Sequence, residues 1–167
     1  MGFAALNPFH NLLPPRTRMT AYVAGDDGVP SIVPYDDSHF DGVRLLWQEV
    51  FPDDPPWNAA EFAIPAKLKI QPELFLIAID QGAVIGSIMA GYDGHRGWLY
   101  ALAVRQSHRR QGCGTALVKK AESLLFGMGC KKINLQIRQS NMAVVSFYRS
   151  LEYEVEERVS MGKRFRE

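Results

Sequence analysis

Two glycines separated by one residue follow a basic pair in "RRQGCGTALVKK", Arg109 to Lys120. A helix that starts at such a loop offers free N–H groups and the positive end of its dipole. Glycine lets the backbone approach a ligand closely. Arg109 and Arg110 add charge, so Arg109, Arg110, Gln111, Gly112, Cys113, Gly114 and Thr115 form a candidate pyrophosphate cradle. A dinucleotide fingerprint does not fit: position 117 is Leu where a third glycine belongs, and the next strand runs to Arg138 rather than to an acid. A Walker-type loop does not fit either, because no lysine precedes Thr115. Downstream, Asn141 and Tyr148 lie seven residues apart. Cys113, with His108 on the same loop, raises a second possibility, a nucleophilic thiol whose pKa is lowered at a helix N-terminus. Asp93 and His95 in "GYDGHRG" are titratable, although turn-making is their simpler role.

These residues need elements to hold them. "SIVPYD" reads as a strand, and "DDSHFDGVRLLWQEVF" as a helix capped by Asp36, Asp37 or Ser38. "PDDPP" breaks that helix. "NAAEFAIPAKLKIQ" predicts a second helix interrupted by Pro65. "LFLIAID" and "AVIGSIMAGY" predict two strands joined at Gln81-Gly82, a hairpin signal. "WLYALAV" is the next strand, followed by a helix from about Gly112 to Met128 with Gly129 closing it. "KINLQI" predicts a strand, "NMAVVSFYRSL" a helix, and "YEVEERVSMGKRF" one or two closing strands. The expected order is β-α-α-β-β-β-α-β-α-β. That order predicts an α/β (α+β) single domain, a mixed and mostly antiparallel sheet flanked by helices.

Bulk properties narrow the class. The chain has 167 residues, 47% hydrophobic and 22% charged, with net charge +1. That balance argues against a general nucleic-acid or membrane binder. Two cysteines, Cys113 and Cys130, have no metal-ligand spacing, so no metal site is expected. The reading is a reducing, cytoplasmic setting. Residues 1–30 hold no charged n-region before their apolar patches and read as a flexible extension, with Met19 an alternative start. Residues 31–167 form the domain.

The pattern Arg109-Arg110-Gln111-Gly112-Cys113-Gly114, between the "LAV" strand and a helix, resembles the acetyl-CoA loop of the GNAT superfamily of N-acetyltransferases. "NMAVVSFYRSLEY" is similar to that family's segment with Asn and Tyr seven apart. "GYDGHRG" and "VSMGKRF" further resemble small bacterial acetyltransferases of the YpeA type. The resemblance spans roughly residues 31–167 and implies acetyl transfer from acetyl-CoA to an amine in a ternary complex. It assigns the backbone of Leu102, Ala103 and Val104 to the pantetheine arm, loop 109–115 to the pyrophosphate, Asn141 to the pantetheine or the loop, and Tyr148 to the general acid. It leaves the base open, since Gln136 stands where related enzymes place a glutamate. Glu152 also departs from the family's glycine. A non-catalytic acyl-CoA-binding domain is the alternative, and a homodimer is left open.

The acceptor is expected from "WQEVFPDDPPWNAAEF". Glu49, Asp53, Asp54 and Glu61 beside Trp47 and Trp57 suggest an acidic, aromatic lining suited to a cationic amine.

Overall fold

The computed structural model describes residues 30–165. The elements are β1 (Ser31–Pro34), α1 (Phe40–Val50), α2 (Ala60–Leu68), β2 (Phe75–Asp80), β3 (Ala83–Tyr92), β4 (Gly97–Val104), α3 (Cys113–Gly127), β5 (Ile133–Leu135) and α4 (Met142–Arg149). The strands form one sheet in the order β1-β2-β3-β4-β5. All neighbours are antiparallel except β4 and β5, which α3 joins as a parallel crossover. The extension expected over residues 1–30, and Met19 within it, lie outside the described residues save for Pro30.

Local chemistry explains most boundaries. Asp36 caps the short turn before α1 and accepts from the Ser38 N–H at 2.9 Å. Gln81 and Gly82 both take positive φ, 47° and 79°, as a type I′ hairpin turn requires. Pro65 sits on the solvent face of α2, where the carbonyl it leaves without an intrahelical partner can meet water.

The sheet is covered on both faces. Phe75 and Ile77 of β2 point to α1 and α2 with Val43, Leu46, Trp47, Ile64 and Met89. Leu76 and Ala78 point the other way, to Leu117, Val118, Ala121 and Leu125 of α3. That period-two alternation gives each face its own core.

The closing strands expected over residues 153–165 do not form, and the order ends at α4. The segment is extended beside β5: Lys132 pairs with Glu156, and Gln136 Nε2 donates to Ser160 Oγ at 2.5 Å. These contacts come from side chains alone, with no backbone ladder. Val155, Val159, Met161 and Phe165 stay exposed, so the alternating pattern found no sheet to bury its apolar side.

Candidate active site

The centre of the molecule is a break in β4. Ser87 of β3 pairs with Ala103, and Met89 pairs with Tyr100, so Ala101 and Leu102 face Ile88 alone. Two residues against one make a β-bulge. Ala101 takes φ 51°, a left-handed conformation rare outside glycine. Buried Ser87 holds the distortion, its hydroxyl donating to the Ala101 carbonyl at 3.3 Å and accepting from Trp47 Nε1 at 2.8 Å. On the other side, β5 pairs with β4 only from Gly97 to Leu99. From Tyr100 to Val104 the β5-facing edge of β4 has no strand partner. An extended chain bearing amides can add to such an edge. Leu102, Ala103 and Val104, the residues expected to meet the pantetheine arm, lie along it.

The glycine loop begins where that edge ends. Arg110 and Gly112 have φ of 59° and 84°, which turn the chain sharply into α3. The first turn closes through Ala116 N–H to Gly112 O at 2.9 Å. No side chain caps α3. The N–H groups of Gln111, Gly112, Cys113, Gly114 and Thr115 donate to no acceptor among the described residues. Arg109, Arg110, Gln111 and Gly112 are exposed. An open set of N–H donors at the start of a 15-residue helix is suited to a pyrophosphate.

The loop is braced from several directions. Arg105 Nε donates to the Val84 carbonyl at 2.8 Å, and its guanidinium pairs with Glu49 at 3.1 Å. Glu49 also accepts from the Gln106 N–H at 3.1 Å. His108 lies 3.4 Å from Asp80, Gln111 Nε2 donates to the Ser107 carbonyl at 2.9 Å, and Arg109 Nε donates to the Val104 carbonyl at 3.1 Å. Below, Cys113 packs on the bare Cα of Gly86, where a Cβ would come within 3.1 Å of its sulfur. Burial pushes the Cys113 thiol up to about 11. The nucleophilic reading of Cys113 and His108 is therefore corrected: the thiol is a packing piece, and only the N–H of Cys113 is offered to a ligand.

Asn141 caps α4, its side chain accepting from the Val144 N–H at 3.4 Å. Tyr148 is buried between Phe147 and Tyr153, edge to face with each at 5.1 and 5.3 Å. Burial, and secondarily the Glu122 carboxylate, push its phenol up to about 12. Phe147 reaches the loop: a Cβ at Gly114 would lie 3.4 Å from its ring and 3.7 Å from Val104. Loop, β4 and α4 thus converge. Glu152 adopts φ 68°, so a glutamate takes the left-handed turn usually left to glycine, at a cost of ~1 kcal/mol.

The acidic, aromatic acceptor lining expected from α1 and its following loop is largely overturned. Trp47 is buried core, and Glu49 belongs to the loop brace. Asp54 pairs with Arg138, and Trp57 carries the Arg164 guanidinium 3.9 Å above its ring. Asp53 and Glu61 remain exposed. Asp93 is a turn-maker, accepting from the N–H groups of His95 and Arg96 at 2.7 and 2.6 Å.

Three positions carried no signal in the sequence. Ser87 holds the bulge. Tyr100, half-exposed, stands where β4 and β5 part, on the side of α1 and α2. Lys67 of α2 is 7% exposed. Its Nζ donates to the Ala90 carbonyl and lies 5.9 Å from the centre of the Tyr100 ring. Desolvation lowers its ammonium to about 8, with Glu73 opposing that shift.

Comparison with known proteins follows the same outline. Residues 40–153 match the model of the Acetyltransferase (GNAT) family. An acetyltransferase of Yersinia enterocolitica is 42% identical over 132 residues, which are 78% of this chain and 92% of that protein. One from Sodalis glossinidius is 49% identical over 128 residues, 75% of this chain and 88% of that protein. Among solved structures, AAC(6')-Iy in complex with the bisubstrate analogue CoA-S-monomethyl-acetylneamine has a TM-score of 0.69 at 20% identity, covering 81% of this chain and 98% of that one. The aminoglycoside 6'-N-acetyltransferase AAC(6')-IG of Acinetobacter haemolyticus has a TM-score of 0.66 at 19% identity, covering 82% and 99%. The described residues include no helix long and apolar enough to cross a membrane and no cluster of potential metal ligands.

Proposed function

The chain belongs to the acetyltransferase (GNAT) family, and we propose that it moves an acetyl group from acetyl-CoA to a primary amine by direct attack in a ternary complex. The observation that carries this reading is the continuity of the open β4 edge with the uncapped N-terminus of α3. The five residues from Val104 to Tyr100, four steps of strand, span roughly 13 Å. A chain held along that edge, with its pyrophosphate on loop 109–115, passes the bulge at Ala101 and Leu102 and brings its far end to Tyr100. Leu102, Ala103 and Val104 offer backbone groups to its amides. Arg109 and Arg110 supply charge, Gln111 through Thr115 supply N–H donors, and Asn141 caps α4, whose Phe147 reaches Gly114 of the loop.

In the reaction a neutral amine attacks the thioester carbonyl, the C–S bond breaks, and the amine's surplus proton ends on sulfur. Tyr148 is the donor to that sulfur. With its phenol near 12 against a thiol near ~8.5, full transfer from Tyr148 is uphill by ~3.5 units, about 5 kcal/mol. Tyr148 therefore acts as a hydrogen-bond donor to the developing thiolate, which suits a group that stays protonated at every physiological pH. Gln136, an amide engaged with Ser160, cannot take up a proton, so the acceptor amine must arrive neutral or lose its proton to water. A cytoplasmic setting with acetyl-CoA as co-substrate belongs to the same reading.

The test is CoA release by the purified chain with a panel of amines, beside calorimetry with acetyl-CoA. Micromolar binding with amine-dependent CoA release supports acetyl transfer. Binding without release from any amine refutes turnover and leaves an acyl-CoA-binding domain; no binding refutes both.

A further inference from the structure

We infer that the acceptor is an amine carrying a flat apolar group and an anionic group, with the flat group on Trp98 and Tyr100 and the anion turned toward Lys67. The inference rests on the acetyl-transfer reading, because it places the acceptor at the apex where β4 and β5 part.

Trp98 and Tyr100 alternate along β4 and so share a face, the face of α1 and α2 to which the paired Met89 also points. These residues are 39% and 44% exposed, unlike Leu99 between them, which is buried. The row through Trp98 has Gly91 on one side and Asn134 on the other. Gly91 adds no side chain, and a Cβ there would come within 3.8 Å of the Tyr100 ring and hydroxyl. The Gln71 amide, bonded to the Tyr92 backbone, lies equally close to that position and forms the polar rim. Two rings on one face beside a glycine make a shelf for a planar group.

Lys67 gives the shelf its sign. A lysine this buried ordinarily has a carboxylate partner. None lies within ion-pair distance of Lys67 among the described residues. Its Nζ bonds one carbonyl and faces one ring, which leaves donor capacity for a ligand anion. Glu73 is the acid whose charge reaches Lys67; it stands beyond ion-pair distance and offsets the cost of burial only in part. Glu49 and Asp54 are matched by Arg105 and Arg138, and Glu61 lies on the exposed face of α2, opposite the buried side that carries Lys67. A buried cation with no ion-pair partner attracts an anion and repels a second cation. Polyamines and aminoglycosides are thereby disfavoured.

The experiment compares an aromatic α-amino acid, its decarboxylated arylalkylamine, an aliphatic amino acid and spermidine. CoA release gives kcat/KM, and calorimetry on CoA-saturated protein gives binding without turnover. The aromatic amino acid is expected to lead each of the others by about tenfold or more, equivalent to ~1.4 kcal/mol. Lys67→Met should raise KM for the aromatic amino acid and erase its lead over the arylalkylamine. Tyr100→Leu should erase its lead over the aliphatic amino acid. Spermidine turned over or bound as well as the aromatic amino acid overturns the inference, as does a lead that survives Lys67→Met, or no binding of any of the four. Selective binding without CoA release upholds the seat and refutes only acetyl transfer.

Discussion

The indole of Trp47 donates to the hydroxyl of Ser87 at 2.8 Å in the middle of the fold, and both side chains are buried. Ser87 in turn donates to the carbonyl of Ala101, the residue whose left-handed φ bends β4. A helix on one face is thereby bonded to the irregularity that opens the strand edge on which acetyl-CoA is proposed to lie. Trp47→Phe keeps much of the volume and removes the donor. The expected result is a loss of ~1–3 kcal/mol in denaturant unfolding. Calorimetric affinity for acetyl-CoA should fall several-fold, because the bulge loses its brace. Unchanged affinity in a destabilised protein would confine the pair to packing.

The two loop glycines separate by backbone geometry. Gly112 has φ 84°, whereas no strained φ is present at Gly114, whose added Cβ would meet Phe147 at an ordinary 3.4 Å. Gly112→Val forces a β-branched residue into the left-handed region, costing ~1–2 kcal/mol, and places bulk over the open N–H groups. Its KM for acetyl-CoA should rise tenfold or more, with kcat at saturation largely kept. Gly114→Ala should change KM by less than about threefold. Steady-state kinetics with acetyl-CoA as the varied substrate reads both, and equal effects would remove the backbone argument.

Much of this was legible beforehand, for physical reasons that differ by element. The Gln81-Gly82 turn and the helix at Cys113–Gly127 follow from local conformational rules, and the structure has them where the sequence puts them. Residues 153–165 carry a strand's alternation, but a strand needs a partner, and local pattern cannot supply one. The bulge at Ala101 depends on Ser87 and Trp47, 14 and 54 positions away, so no window of sequence contains it. Lys67 was hidden by its type: lysine on a helix defaults to solvent. Glu49 misled for the reverse reason, an acid in an acidic stretch that turned out to face Arg105 across the chain.

Tyr148 tests the leaving-group step. Tyr148→Phe should lower kcat by about 10²-fold while KM for acetyl-CoA moves less than about threefold. A phenol raised to about 12 stays protonated through the working range, so the parent should show no loss of rate from Tyr148 ionisation at pH 8–10. The same shift affects stability. Above pH 10 the unfolded phenol ionises while the buried one does not, so this contribution is present below pH 10 and is lost as pH rises toward 12. If kcat is unchanged in Tyr148→Phe, the residue is core packing between Phe147 and Tyr153.

Lys67 makes the opposite prediction, and it separates burial of a charge from ordinary packing. In the unfolded chain its ammonium loses the proton near 10.5, and in the folded chain near 8. Below pH 8 both states are charged, and folding carries the full cost of burying an ammonium without a carboxylate partner. Between pH 8 and 10.5 the folded state binds fewer protons than the unfolded one, so stability rises with pH through that window. Above it the cost is gone. Lys67→Met has no such term. At pH 7 the variant should be the more stable protein, by at most about 3 kcal/mol, less whatever the lost bond to Ala90 contributed. That advantage should shrink steadily from pH 8 to pH 10.5. The distant groups Tyr148, Tyr153 and Cys113 titrate in both proteins, so their effects cancel in the difference, and the Lys67→Met, Tyr100→Phe double variant against Tyr100→Phe removes the neighbouring phenol from the comparison. Urea unfolding of the pair at half-unit pH steps measures it. A difference that stays flat across the window would mean that Nζ reaches water and carries no burial cost, and the charge assigned to the shelf beside Tyr100 would then be solvated rather than held.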